Sequence, residues 1–208
     1  MLLLDLYSGC GGAAMGYHRA GFTVVGVDIN PQPDYPFEFV QADALEYLEQ
    51  YGHLYDVVHA SPPCQSSSAL TKGTNKGREY VDLIPDTRAA LARHGGKTIM
   101  ENVQGSDLRR DVLLCGEMFG LQVIRHRYFE VENFTPAQPE HIAHRGRVKG
   151  YRHGGNYEGY YYAVYGDGGG KGSVSEWKQA MGIDWTDNKK SLAEAIPPAY
   201  TEYIGSLL

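Results

Sequence analysis

Cysteine is scarce in this chain, with three residues in 208, at positions 10, 64 and 115. The odd number and wide spacing argue against a disulfide framework, so a reducing, cytoplasmic setting is expected. Long apolar runs are also missing. No stretch approaches the roughly 20 residues of a membrane span, and "MLLLDLY" meets a charge after three leucines, which reads as a buried strand rather than a leader. An excess of positive charge is lacking: 19 basic against 25 acidic side chains give −6, which speaks against a uniformly basic nucleic-acid coat. There is no internal repeat. What the chain does have is 42% hydrophobic residues, enough for the core of one domain with a small appended lobe.

The first 132 residues alternate apolar runs with helical patterns, which predicts an α/β fold with a Rossmann-like sheet and helices on both faces. Strands are expected at 2–7, 23–28, 37–43, 55–60, 97–102 and 123–132. Helices are expected after the glycine turn and over "ALEYLEQY", "DTRAALARHG" and "DVLLCGEMFG". From 133 to 175 Gly, Tyr, His and Arg dominate and periodicity fades, so an insertion lobe is expected there. Residues 176–208 read as a helical segment that rejoins the first domain.

Four stretches carry chemistry. "DLYSGCGG" sets Gly9, Gly11 and Gly12 between a strand and a helix, where backbone and helix amides can approach a ligand closely. Asp28 ends the next strand, nineteen positions beyond Gly9, where a carboxylate can grip ribose hydroxyls. Together they favour a nucleoside-containing cofactor over an ordinary packing turn. The absence of lysine from the turn argues against a nucleoside triphosphate. In "SPPCQSSSALTKGTNKGR", Pro62 and Pro63 stiffen the approach to Cys64. Ser66 to Ser68 offer hydroxyls, and Lys72, Lys76 and Arg78 form a cationic flap. A nucleophilic thiol explains this pattern better than a buried cysteine beside a surface loop. "IMENV" brings Glu101 to a strand end, followed by Asn102. Desolvation there would suit a carboxyl group to hold a proton, the plainer alternative being a helix cap. "IRHRYFEV" spaces Arg125 and Arg127 by two, so both would share one face of a strand, either as a phosphate or carbonyl clamp or as solubilising edge charges.

Taken in order, "DLYSGCGG", "GVDIN", "QADAL", "PPCQ", "MENV" and "IRHRYF" resemble the S-adenosylmethionine-dependent cytosine-C5 DNA methyltransferases, most of all compact phage-type or actinobacterial members. The resemblance spans roughly residues 2–132, with an echo in "AEAIPPAYTEYIG". It implies a class I methyltransferase sheet, S-adenosyl-L-methionine as cofactor, duplex DNA as partner, and a role of the restriction-modification kind. It further implies that Cys64 attacks C6 of a flipped-out cytosine, that Glu101 holds N3, and that Arg127 contacts O2 with support from Arg125. Tyr7, Ser8, Gly9, Gly11, Gly12, Asp28, Ile29, Asp43, Ala44 and Pro63 would hold the cofactor, and Gln65, Ser68 and Asn102 the base. A base inside a duplex is out of reach of such a thiol, so flipping belongs to the mechanism. The chain departs from the family pattern in three places. Val123 replaces a glutamine, the Gly-Asn before the final helix is missing, and only about sixty residues follow "IRHRYF" before that helix. The same chemistry on RNA or on a cytosine nucleotide therefore stays open, as does an inactive nucleic-acid-binding relative.

The insertion concentrates positive charge. "HIAHRGRVKGYRH" carries Arg145, Arg147, Lys149 and Arg152 with no acid, and "YEGYYYAVY" follows with five tyrosines. The pair suits phosphate contact and base stacking, or else a solvated loop beside a core-packing strand. His141, His144 and His153 lack a neighbouring cysteine in the sequence, so no metal is expected. A monomer is expected.

Overall fold

The structure, a computed structural model, describes residues 1–63, 81–152, 155–166 and 172–208. Seven strands form one sheet: β1 (Leu2–Leu6), β2 (Thr23–Asp28), β3 (Glu38–Gln41), β4 (Val57–Ala60), β5 (Lys97–Val103), β6 (Val112–Leu114) and β7 (Arg127–Glu132). Their order is β3-β2-β1-β4-β5-β7-β6, parallel from β3 to β5, with β7 antiparallel to both β5 and β6. The chain works outward from β1 to β3, then crosses to β4 on the other side of β1. The crevice beyond the carboxyl ends of β1 and β4 is thus the switch point where open α/β sheets take their ligands.

Alternation along the strands builds the two faces. Leu3, Val24, Val57 and Ile99 point to one side, where α1 (Gly12–Arg19) and the C-terminal α6 (Pro198–Gly205) cover them with Tyr17, Tyr200 and Ile204. Leu4, Val25, Val58 and Met100 point to the other, under Leu48 of α2 (Ala44–Tyr51) and Ile84, Ala90 and Leu91 of α3 (Ile84–His94). Gly16 lets α1 and α6 meet, since a Cβ there would lie 2.0 Å from Thr201 Oγ1 and 2.1 Å from the Pro198 carbonyl oxygen. The expected α/β sheet with helices on both faces is what forms.

Two expectations fail. "DVLLCGEMFG" is not a helix: it is β6 followed by a 3-10 turn over Gly116–Phe119. Val112 and Leu114 are buried with Leu113 between them half-exposed, a period of two that pairing with β7 exploits. The strand expected from 123 starts only at Arg127. Val123 leaves the sheet to join a separate small core with Val164, Trp177, Met181 and Leu192, where a glutamine would be a buried polar burden. That core is closed by α4 (Val174–Met181), capped by a reciprocal Ser173–Glu176 box, and by α5 (Lys189–Glu194). The insertion contributes a two-stranded sheet, β8 (Gly150–Arg152) and β9 (Gly155–Tyr157). Among the described residues, no helix is long and apolar enough to cross a membrane.

Candidate active site

The turn after β1 is built by backbone that few residues tolerate. Tyr7, Gly9 and Gly11 all adopt positive φ, at 58°, 51° and 84°. For a bulky residue this is strain, of a kind concentrated at ligand sites, and Tyr7 is held in place by a 3.0 Å hydrogen bond to Thr87 of α3. The glycines divide by purpose. A Cβ on Gly11 would meet Pro36 at 2.7 Å, and one on Gly12 the Ile196 carbonyl oxygen at 2.3 Å, so both are small for the sake of the protein's own packing. Gly9 alone has nothing within 4 Å of that position. Its half-buried backbone, with open space where a Cβ would stand, is the part of the turn a ligand can approach.

Asp28, at the end of β2, braces the same turn: its Oδ2 accepts from the Gly9 amide at 3.1 Å and its Oδ1 from the Asn30 amide at 2.9 Å. Each oxygen keeps a further lone pair for a ligand hydroxyl. Next to it Ile29 is 64% exposed, an apolar side chain left in solvent at the mouth of the crevice. Ser8 Oγ is buried without a partner among the described residues. Asp43 caps α2, its Oδ1 accepting from the Leu45 and Glu46 amides at 2.9 and 3.0 Å, with Ala44 buried behind it. An orphaned hydroxyl, an open glycine backbone and a carboxylate with spare lone pairs fit a nucleoside-bearing cofactor.

On the other side of β1, β4 runs into Ser61, Pro62 and Pro63. Cys64, Gln65, Ser68, Lys72, Lys76 and Arg78 lie outside the described residues. What fixes the approach to them is Asn102, buried, whose amide donates to the Pro62 carbonyl at 2.9 Å while its own oxygen accepts from the Val103 amide. Asn102 therefore ties the end of β5 to the segment that precedes Cys64.

Glu101 is the chemical centre of the described site. It is 5% exposed in β5, with its Oε1 2.8 Å from Arg127 Nε. Burial pushes its carboxyl above the ordinary range, against the opposing pull of Arg127, a Ser61 hydrogen bond and Arg125. Behind it runs a chain that the sequence did not reveal: Tyr17 hydroxyl to His59 Nδ1 at 3.0 Å, then His59 Nε2 to Ser61 Oγ at 2.9 Å, then Ser61 to Glu101. Burial pushes His59 down to about 3, so it is neutral and must donate from one nitrogen and accept at the other. With Ser61 donating to the carboxylate, Nε2–H donates to Ser61 and Nδ1 accepts from Tyr17. The one available signal was a histidine in the otherwise apolar "VVHA".

Arg127 and Arg125 are not the parallel pair expected. Arg127 reaches Glu101 and donates from Nη1 to the His126 carbonyl at 3.0 Å. Arg125, outside the strand, donates to the Val164 carbonyl at 2.9 Å and the Ala193 carbonyl at 2.7 Å, so it binds the small C-terminal core to the sheet. In the insertion, Arg145 pairs with Glu117 and lies over the Tyr160 ring, and Lys149 pairs with Glu176 at 3.1 Å. Arg147 is exposed and has no side-chain partner among the described residues. Arg152 belongs to β8.

Comparison with known proteins gives this arrangement a family. Type II methyltransferase M.AplI of Arthrospira platensis is 31% identical over 113 residues, covering 50% of this chain and 32% of its own length. Type II methyltransferase M.HgiDI of Herpetosiphon aurantiacus is 29% identical over 123 residues, covering 53% of this chain and 39% of its own. The chain thus matches well under half the length of these relatives. The crystal structure of S. pombe Dnmt2 methyltransferase shares the fold, with a TM-score of 0.64 at 15% identity over 100% of this chain and 98% of that one. The family model for C-5 cytosine-specific DNA methylase matches residues 1–110, more than half of the 208, and includes the glycine turn, Asp28, Cys64 and Glu101. The chain belongs to the C-5 cytosine-specific DNA methylase family.

Proposed function

We propose that the protein methylates C5 of cytosine in DNA through a transient bond from Cys64 to C6 of a flipped-out base. Glu101 carries the reading: a buried carboxyl at the end of β5, raised in pKa, beside Arg127 and next in sequence to the asparagine that holds the approach to Cys64. S-adenosyl-L-methionine, when bound, supplies an electrophilic methyl group on sulfonium. Tyr7, Ser8, Gly9, Gly11, Gly12, Asp28, Ile29, Asp43, Ala44 and Pro63 would hold it.

C5 of cytosine is a poor nucleophile. Addition of the Cys64 thiolate at C6 breaks the C5–C6 double bond and places electron density on C5, with the charge relayed to N3 and O2. Glu101, holding its proton to higher pH than an ordinary carboxyl, donates toward N3, and the Arg127 guanidinium stands beside it for O2. Once C5 has gained its methyl group, transfer of the C5 proton to solvent water, return of the N3 proton to Glu101 and expulsion of the Cys64 thiolate restore the C5–C6 double bond and free the enzyme. The Tyr17–His59–Ser61 chain keeps the Glu101 carboxyl fixed without reaching the base.

The test is covalent capture. An oligonucleotide with 5-fluorocytosine at its target should form a denaturation-resistant complex with the wild-type protein and cofactor, because fluorine at C5 cannot leave as a proton. Cys64→Ser should give none, and nucleoside mass spectrometry should find 5-methylcytosine only with the wild type. Turnover by Cys64→Ser equal to wild type would overturn the reading. Methylation of free cytosine nucleotide or RNA in preference to DNA would move the substrate and leave the chemistry.

A further inference from the structure

Cys115, His126, His141 and His144 each place a ligand atom so that all four lie within 4.8 Å of one another. Chain pairing brings them there. β6 and β7 run antiparallel with Leu114 opposite Arg127, so the next residues off the two strands, Cys115 and His126, emerge side by side. His141 and His144 arrive from the insertion with two residues between them. His126 Nε2 lies 3.0 Å from His141 Nε2, and Cys115 Sγ lies 3.5 Å from His144 Nε2.

Those separations match a coordination shell. A tetrahedral zinc ion, with Zn–N near 2.05 Å and Zn–S near 2.3 Å, sets its ligand nitrogens about 3.3 Å apart and nitrogen from sulfur about 3.6 Å. Three imidazoles this close repel one another when protonated, and as neutral rings they turn several lone pairs toward one point. One divalent cation satisfies them together with the thiolate. A mixed sulfur and imidazole donor set selects zinc over magnesium or calcium, and four protein ligands make a closed, structural site rather than a catalytic one.

We propose that Cys115, His126, His141 and His144 bind one zinc ion, which staples the insertion to the edge of the sheet. The sequence expectation of no metal considered His141, His144 and His153 without Cys115, and only the β6–β7 register reveals the missing ligand. His153 lies outside the described residues. Cys115 is buried while His141 and His144 are exposed, so the ion enters from the solvent side. The site has a consequence for the neighbouring chemistry: it fixes His126, whose carbonyl holds Arg127. It does not depend on the methyl-transfer reading, because none of the four ligands takes part in that step.

Metal analysis of the full-length, untagged, reduced protein tests this directly. Protein made in zinc-supplemented medium should carry about one zinc ion per chain. The metal-free protein should take up cobalt(II) with the intense visible bands of a tetrahedral site and a near-ultraviolet sulfur-to-cobalt charge-transfer band. Cys115→Ser should abolish the charge-transfer band. Because Cys115 is buried and its variant can fail to fold, the exposed double variant His141→Ala/His144→Ala gives the second reading. It should keep the native circular dichroism and lose zinc and both cobalt signals. The proposal is overturned if the reduced wild type neither retains zinc nor takes up cobalt, or if the double variant binds cobalt with the wild-type spectrum.

Discussion

His59 shows how much a single buried side chain can govern. It is fully enclosed between Tyr17 and Ser61, and burial lowers its pKa from 6.5 to about 3. A folded-state pKa below the unfolded one contributes stability that is present above pH 6.5 and lost as pH falls toward 3. The full shift corresponds to at most about 5 kcal/mol, withdrawn at up to about 1.4 kcal/mol per pH unit. His59→Gln should therefore yield a shallower acid limb when denaturant unfolding is followed between about pH 6 and 4, and losing the hydrogen bonds to Tyr17 and Ser61 should lower stability at neutral pH. Parallel limbs for the two proteins would show that His59 does not titrate in this window. Glu101 has the opposite displacement, its carboxyl raised by burial. Glu101→Gln should reduce turnover by roughly 10²- to 10⁴-fold, the usual worth of a positioned proton donor. Cofactor affinity by calorimetry should be unchanged, since the residues proposed to hold the cofactor, Pro63 apart, lie on β2 and on the turns and helix starts that follow β1, β2 and β3.

At the level of elements, Asn102 and the segment after β4 form one unit. Two strands that are neighbours only through sheet pairing are clamped by a single side-chain amide on the Pro62 carbonyl. Asn102→Ala removes that donor and leaves both the Pro62 carbonyl and the Val103 amide short of a partner. The cost should be about 1–3 kcal/mol in thermal or denaturant unfolding. Covalent capture by 5-fluorocytosine should slow while cofactor binding persists; capture at the wild-type rate would show that the approach to Cys64 does not rely on this clamp. The parallel strands were readable in the sequence because a strand buried on both faces leaves a nearly continuous apolar run, as in "LLLDL" and "TVVGVD". Glycine turns and the Asp28 position followed from the same punctuation. The 112–119 segment was not readable, because three residues of strand next to a 3-10 turn mimic one helical repeat. Arg125 misled for a related reason: a spacing of two is informative only if the strand begins early enough, and it begins at Arg127. The Tyr17–His59–Ser61–Glu101 chain was invisible because its members come from α1, β4, the turn beyond it and β5, and only the fold brings them together.

On the proposed function, the whole molecule, acidic on balance, has to hold an anionic partner. The sequence concentrates cations at 145–152, yet the structure shows two of them already answered by carboxylates, Arg145 by Glu117 and Lys149 by Glu176. The Lys149–Glu176 pair is open to solvent on both sides, so it contributes little and can be exchanged for phosphate, whereas the buried Glu117 holds Arg145 more firmly. Arg147, exposed and free of such a partner among the described residues, is the cation best placed to meet a backbone directly. If the insertion tracks duplex DNA, replacing Arg145, Arg147, Lys149 and Arg152 with alanine should weaken binding. It should also flatten the dependence of log affinity on log salt by roughly 0.9 for each phosphate that is no longer neutralised. Arg147→Ala alone should remove the slope of one whole phosphate. Arg145→Ala should remove less, because the buried Glu117 carboxylate already neutralises much of the Arg145 charge in the folded protein. That order, Arg147 above Arg145, distinguishes a phosphate-tracking surface from a solvated loop whose charges serve only the protein itself. Equal slopes for wild type and the quadruple variant, measured by fluorescence anisotropy at several salt concentrations, would place DNA elsewhere on the molecule.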